Sequence, residues 1–142
     1  LNLDMEEWGD LFVGCAGGGD STLTIPLQRL SSFSTEQFHS LEIRVEGLMG
    51  GHSGLNIHEG RANAVRLCAA ATQRALEASK QSNIGDDANA AVLISISGGD
   101  KHNAIPREAS AILSVTSSGA KNIIEESVQA SAAAALEEFG LL

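Results

Sequence analysis

Residues 41–46 read Leu41-Glu42-Ile43-Arg44-Val45-Glu46, and residues 61–79 answer them with a different period. In the first stretch Ile43 and Val45 fall on one side and Glu42, Arg44 and Glu46 on the other. That two-residue alternation predicts a half-exposed strand. In the second, Val65, Cys68, Ala69, Thr72, Ala75 and Leu76 share a stripe, with Arg66, Gln73 and Glu77 opposite. That is the period of an amphipathic helix. Outward from this pair the pattern continues. Residues 91–97 alternate with Val92, Ile94 and Ile96 inward, and residues 108–116 carry Ala109, Ala111, Leu113 and Val115 on one face. A second helix is expected over 121–139, with Ile124, Val128, Ala132, Ala135 and Phe139 as its stripe and Gly140 as its stop.

Strand, helix, strand, strand, helix is most of a ferredoxin-like split βαβ unit without its last strand. The expected fold class is α+β, an antiparallel sheet with two helices on one face. Extra N-terminal strands are expected beside it. One is a short buried strand over 10–16; the other is an edge strand over 21–27, where Pro26 cannot donate to a ladder. The missing fourth strand leaves a sheet edge to be filled by those N-terminal strands, by another copy or by further chain.

At 142 residues the chain accommodates one domain, with room for a fragment of a neighbour. Its 43% hydrophobic and 19% charged residues are ordinary for a soluble globular protein. A net charge of -9 argues against nucleic acid and against an anionic membrane surface, since phosphate binding needs clustered Lys and Arg. No apolar run approaches the roughly 20 residues that span a bilayer. Cys15 and Cys68 stand apart, outside any CxxC pair, and read as buried free thiols of a reducing compartment, the cytoplasm. The chain opens on Leu1 without a Met, as expected of a segment of something longer.

Three clusters could carry chemistry. Asn2-Leu3-Asp4-Met5-Glu6-Glu7-Trp8-Gly9 is dense in carboxylates that can ligate a metal, and equally reads as a solvated acidic turn. Gly50-Gly51-His52-Ser53-Gly54, followed by Asn56, His58, Gly60, Arg61 and Asn63, puts an imidazole among glycines, where nothing bulky can bury it. It is either a ring presented to a ligand or a flexible loop with an incidental His. The run from Gly98 to Glu108 includes Asn103, Pro106 and Arg107, whose donors suit a carboxylate. A solvated connection between two strands has the same composition.

Together and in this order the clusters resemble the M20 metallopeptidase family, in its aminoacyl-histidine dipeptidase branch. The matching residues are Asn2-Leu3-Asp4 with Glu6-Glu7-Trp8-Gly9; Gly14-Cys15-Ala16-Gly17-Gly18; Gly47-Leu48 with Gly50-Gly51-His52-Ser53-Gly54; Ile57-His58 with Gly60-Arg61-Ala62-Asn63-Ala64; and Ser97-Gly98-Gly99 with Asn103-Ala104-Ile105-Pro106-Arg107-Glu108. The resemblance implies a catalytic domain holding two zinc ions and a lid domain that mediates homodimerisation. Residues 1–17 would be the end of the catalytic domain and 18–142 the lid, which is expected to continue further. Asp4 would be a zinc ligand. His52 would be the catalytic lid histidine that reaches the neighbouring subunit's site and polarises the scissile carbonyl. Asn103 and Arg107 would hold the substrate backbone or its C-terminal carboxylate. The expected reaction is hydrolysis of Xaa-His and related dipeptides by the longer protein. One zinc ligand cannot hold two ions, so this chain alone is expected to be inactive and to retain no zinc. The alternative is a non-enzymatic ferredoxin-like module for ligand binding or dimerisation.

Overall fold

The alternation over 41–46 and the helical stripe that follows it become β1 (His39–Val45) and α1 (Ala64–Gln81) in the computed structural model. The structure describes residues 8–14, 17–27, 39–81 and 90–140. Between β1 and α1 lie a two-residue strand, β2 (Gly51–His52), and a single 3-10 turn (Ile57–Glu59). After α1 come β3 (Ala91–Gly98), the two-residue β4 (Ala104–Ile105), β5 (Ala109–Val115) and α2 (Ser118–Phe139). The main sheet runs β1-β5-β3, antiparallel throughout, and β2 pairs with β4 as a separate small ladder.

β5 is central because its inward residues can be covered from every side. Ala111, Leu113 and Val115 are fully buried and Ala109 nearly so, while Ser110, Ile112 and Ser114 alternate to the other face. Both helices lie on the face that Leu113 points to. α1 contacts all three strands of the main sheet, α2 contacts β1 and β5, and the helices pack on each other. Ala64, Cys68, Ala71, Thr72, Ala75 and Ser79 form the buried stripe of α1, with Val65 and Leu76 half-buried at its sides. The small side chains let α1 approach the sheet closely. Ala69, expected in the stripe, is exposed, and Ala71 takes its place. α2 buries only Ala120 and Ile124 fully, with Val128 and Phe139 packed against the core. Ser117 caps its start through a hydrogen bond accepted from the Ala120 amide (3.2 Å), and left-handed Gly140 closes its end.

Two expectations about strands change. β3 does not keep Val92, Ile94 and Ile96 on one face. Leu93 opposes Leu113, but Ser95 opposes Ile112 and Ile96 opposes Ala111, so the ladder shifts by one residue between Leu93 and Ser95. An extra residue in one strand reverses the facing of everything after it. Leu93 and Ile96 therefore share a face, and Ile94 occupies the irregularity. The second change concerns the N-terminal strands. Among the described residues 8–14 and 17–27 nothing pairs into a ladder, and Leu11, Val13, Leu23 and Ile25 are exposed. An apolar alternation becomes a strand only when a neighbour takes its backbone hydrogen bonds, and the described residues offer these segments none. Cys15 lies outside the described residues.

Cys68 is free, and its thiol faces the Ile43 carbonyl at 3.9 Å. Burial pushes that thiol up from its ordinary value, opposed in part by a hydrogen bond with Thr72. It is a core residue rather than a nucleophile. Among the described residues no helix is long and apolar enough to cross a membrane.

The core argument yields a stability prediction. Leu113→Ala removes a fully buried side chain from the middle of the sheet, at a cost of about 2–5 kcal/mol. Urea unfolding of the two variants should show Ile112→Ala, on the opposite face of the same strand, shifting the midpoint far less.

Candidate functional site

The small β2–β4 ladder joins two loops about 50 residues apart in the chain. Gly51 pairs with Ile105 and His52 with Ala104. The Ser53 amide extends the ladder by donating to the Asn103 carbonyl at 2.9 Å. Leu48 and Arg107 tie the other end. The Leu48 amide donates to the Arg107 carbonyl (3.4 Å), and Arg107 Nε returns a hydrogen bond to the Leu48 carbonyl (3.0 Å). The Ala64 amide, at the start of α1, donates to the Pro106 carbonyl (3.0 Å) and so anchors this pair of loops to the helix.

Gly50 and Gly51 make the joint. Both have positive φ, +68° and +139°, values that cost a side-chain-bearing residue about 1–3 kcal/mol. Space forbids a side chain as well. A Cβ on Gly50 would collide with the Arg107 side chain, and one on Gly51 would come within 2.8 Å of Asn56 Oδ1 and meet the Arg61 guanidinium. The glycines are thus places where two long side chains cross the backbone, not a mobile spacer.

His52 is exposed at this joint. Its Nδ1 accepts hydrogen bonds from the Gly54 amide (3.0 Å) and the Leu55 amide (3.2 Å). A neutral imidazole accepts at one nitrogen and donates at the other. With Nδ1 accepting, the neutral ring carries its proton on Nε2, for which no hydrogen-bond partner lies among the described residues. The His52 amide donates to Asn56 Oδ1 (2.8 Å), and the Asn56 amide returns a bond to the His52 carbonyl (3.0 Å). Asn56 Nδ2 donates to Glu59 Oε1 (2.7 Å), Arg61 Nε donates to Glu59 Oε2 (2.6 Å), and Arg61 Nη1 donates to the Gly50 carbonyl (2.7 Å).

Of the residues expected from the sequence, His52, Asn103 and Arg107 lie on the two joined loops. Asn103 is exposed and takes part in the ladder through its carbonyl. Arg107 has committed Nε to Leu48. Its two terminal nitrogens have no partner among the described residues, which leaves an end-on fork for a carboxylate. Asp4 lies outside the described residues. Among the described residues no three His, Cys, Asp or Glu side chains converge as a metal site. An open cleft of about 830 Å³ flanks Arg107 and Lys101 on one side and Arg44 and Glu46 on the other, but neither His52 nor Asn103 lines it. Of the three, only Arg107 lines this cleft.

Asn56 and Arg61 belong to the cluster read from the sequence; the residue it passed over is Glu59, which links them into one group. The signal was a carboxylate and a guanidinium on either side of Gly60, which is left-handed (φ +65°) and folds the two together. Hydrogen bonds from Asn56, and then from Arg61, hold the Glu59 carboxyl below the usual carboxylate range. A lowered value means that the ionised form is the one the loop binds. The contribution of Glu59 is therefore complete above the ordinary carboxylate range and is lost as pH falls through the lowered value. Carboxyl-detected NMR should show the Glu59 midpoint moving upward in Asn56→Ala, and also in Arg61→Ala.

The model of the peptidase dimerisation domain of the M20 family matches residues 43–140. Over 115 residues the chain is 36% identical to the cytosol non-specific dipeptidase of Escherichia coli strain K12, covering 81% of this chain and 21% of that protein. The crystal structure of aminoacylhistidine dipeptidase from Vibrio alginolyticus superposes with a TM-score of 0.60 at 28% identity, over 77% of this chain and 20% of that one. The chain thus spans about a fifth of the length of either relative.

Proposed function

We propose, from the premise that this chain belongs to the M20 peptidase dimerisation-domain family, that it is the lid of a two-zinc dipeptidase acting on Xaa-His and related dipeptides. Residues 1–17 are then the end of the catalytic part and 18–142 lid. The observation that carries the reading is the presentation of His52: an exposed ring whose Nδ1 is occupied by two backbone amides, on a loop laced to the one bearing Asn103 and Arg107.

In this reading the Nε2–H of His52 donates to the oxygen of the scissile carbonyl. Negative charge grows on that oxygen as the carbonyl is attacked, so a preplaced donor stabilises the transition state more than the bound substrate. The free end of the Arg107 guanidinium binds the C-terminal carboxylate of the dipeptide, and Asn103 binds its backbone. These contacts exist equally in ground and transition states and so govern binding. The described residues do not form a metal site of their own. Zinc would be held by Asp4 together with ligands from the remainder of the longer protein, and no step here is routed through it. Sequestration of the carbonyl from water follows from lid closure. The relative named a cytosol dipeptidase and the free thiol of Cys68 both support a cytoplasmic setting.

Kinetics of the longer protein test the roles. His52→Ala should lower kcat by about 10²–10³-fold, the loss of one donor of this type, with KM changed little. Arg107→Ala should chiefly raise KM. A His52→Ala enzyme with an unaltered kcat on β-alanyl-histidine would refute the assignment.

Homodimerisation through the lid is part of the same proposal. β3 is an edge strand, and Leu93, Ile94 and Ile96 on it are between 42% and 51% exposed. Unpaired backbone beside partly exposed apolar side chains is a template for a second copy. Ile94→Lys should convert a dimer to a monomer in sedimentation velocity, while the same change at exposed Gln73 on α1 should not.

A further inference from the structure

We infer that Asn56, Glu59 and Arg61 are positioning residues that hold His52 as an Nε2–H donor in one orientation. The inference rests on the donor role proposed for His52 and adds the device that maintains it.

The hydrogen bonds form a closed circuit around the loop. It runs from the Gly50 carbonyl to Arg61, from Arg61 to Glu59, from Glu59 to Asn56, and from Asn56 to the His52 amide. Gly50 and His52 flank Gly51, so the circuit grips the backbone on both sides of the residue that sets the turn. The orientation of the Asn56 amide is determined by its partners. A carboxylate only accepts and a backbone amide only donates. Nδ2 must therefore face Glu59 and Oδ1 must face His52.

The same turn delivers the ring. The reciprocal pair between His52 and Asn56 closes residues 52–56 into a tight loop, and this aims the Gly54 and Leu55 amides at Nδ1. If Asn56 is lost, the His52 amide loses its acceptor, the loop relaxes, and nothing favours one ring tautomer. Glu59 and Arg61 act one step further out. Glu59 orients Asn56, and Arg61 anchors Glu59 to the Gly50 carbonyl. None of the three side chains donates to Nδ1 itself, so their effect reaches His52 through the backbone. Arg61 suits this place because its planar fork can serve a carboxylate and a carbonyl at once, which a lysine cannot do with fixed geometry.

Two measurements test the inference. The first uses this chain alone and reads the tautomer of His52 by long-range proton–nitrogen NMR at neutral pH. Native His52 should show a protonated Nε2 and an accepting Nδ1, and Asn56→Ala should show averaging between tautomers. The second uses the longer protein. Asn56→Ala and Glu59→Ala should lower kcat by about tenfold or more with KM held, since an imprecisely placed donor loses much of its transition-state value. Glu59→Gln keeps an acceptor for Asn56 Nδ2 and should restore part of the loss. Glu59 is exposed, so its variants keep the inference testable even if Asn56→Ala does not fold. A native tautomer and unaltered kcat in both Asn56→Ala and Glu59→Ala, with His52→Ala still impaired, would overturn the positioning role alone. Unimpaired His52→Ala would instead overturn the donor role on which it rests.

Discussion

A ladder two residues long holds the two candidate-site loops together. Gly51 and His52 pair with Ile105 and Ala104, and Ser53 adds a hydrogen bond to Asn103. Without that pairing the His52 loop and the Asn103–Arg107 loop would be two independent excursions from the sheet. With it, any displacement of one moves the other. Two residue pairs are too few to be stable in isolation, since even a free hairpin is marginal in water. The ladder persists because side chains cross it: Arg107 over Gly50, and Arg61 and Asn56 against Gly51. The absence of a side chain at those two positions is as much a part of the site as the imidazole.

The main sheet supplies rigidity from below. β5 is flanked on both sides and buried by helices on one face, and it begins at Ala109, two residues after Arg107. α1 begins at Ala64, whose amide is bonded to the Pro106 carbonyl. Both site loops therefore end on well-packed elements, α1 and β5, and those ends inherit the order of the core. Precise placement of donors depends on such supports, because a group held loosely contributes little to a transition state. At this joint the crossing side chains are the guanidinium groups of Arg61 and Arg107, the former paired with the Glu59 carboxylate.

Several features of the fold were legible in the residues. Ile43 and the run Ala109, Ala111, Leu113, Val115 announced strands with one buried face, and Gly140 announced the end of α2. β3 was misread because a one-residue irregularity leaves no mark in a run as apolar as Ala91 to Ile96. The helical stripe was displaced from Ala69 to Ala71 because alanine contributes little to any hydrophobic pattern. The apolar residues of 8–14 and 17–27 imitated strands because alternation reports what a segment could pair with, not whether a partner is present. At the site, a histidine among glycines was enough to predict exposure. The hydrogen-bonded linkage of Asn56, Glu59 and Arg61 carried no such signal, as polar residues in a loop are ordinarily just solvated.

What sequence alone determined is therefore periodic or chemical: the α+β class, the side chains that the two loops carry, and an exposed imidazole at position 52. Periodicity is local, and local backbone geometry obeys it. Tertiary structure decided which nitrogen of that imidazole accepts from backbone amides, which edge of the Arg107 guanidinium is already occupied, and which side chains hydrogen-bond around the loop. Each of those depends on a hydrogen-bond partner brought in by folding, from a few residues away or from the far side of α1, and a donor's orientation is settled only when its acceptor is in place.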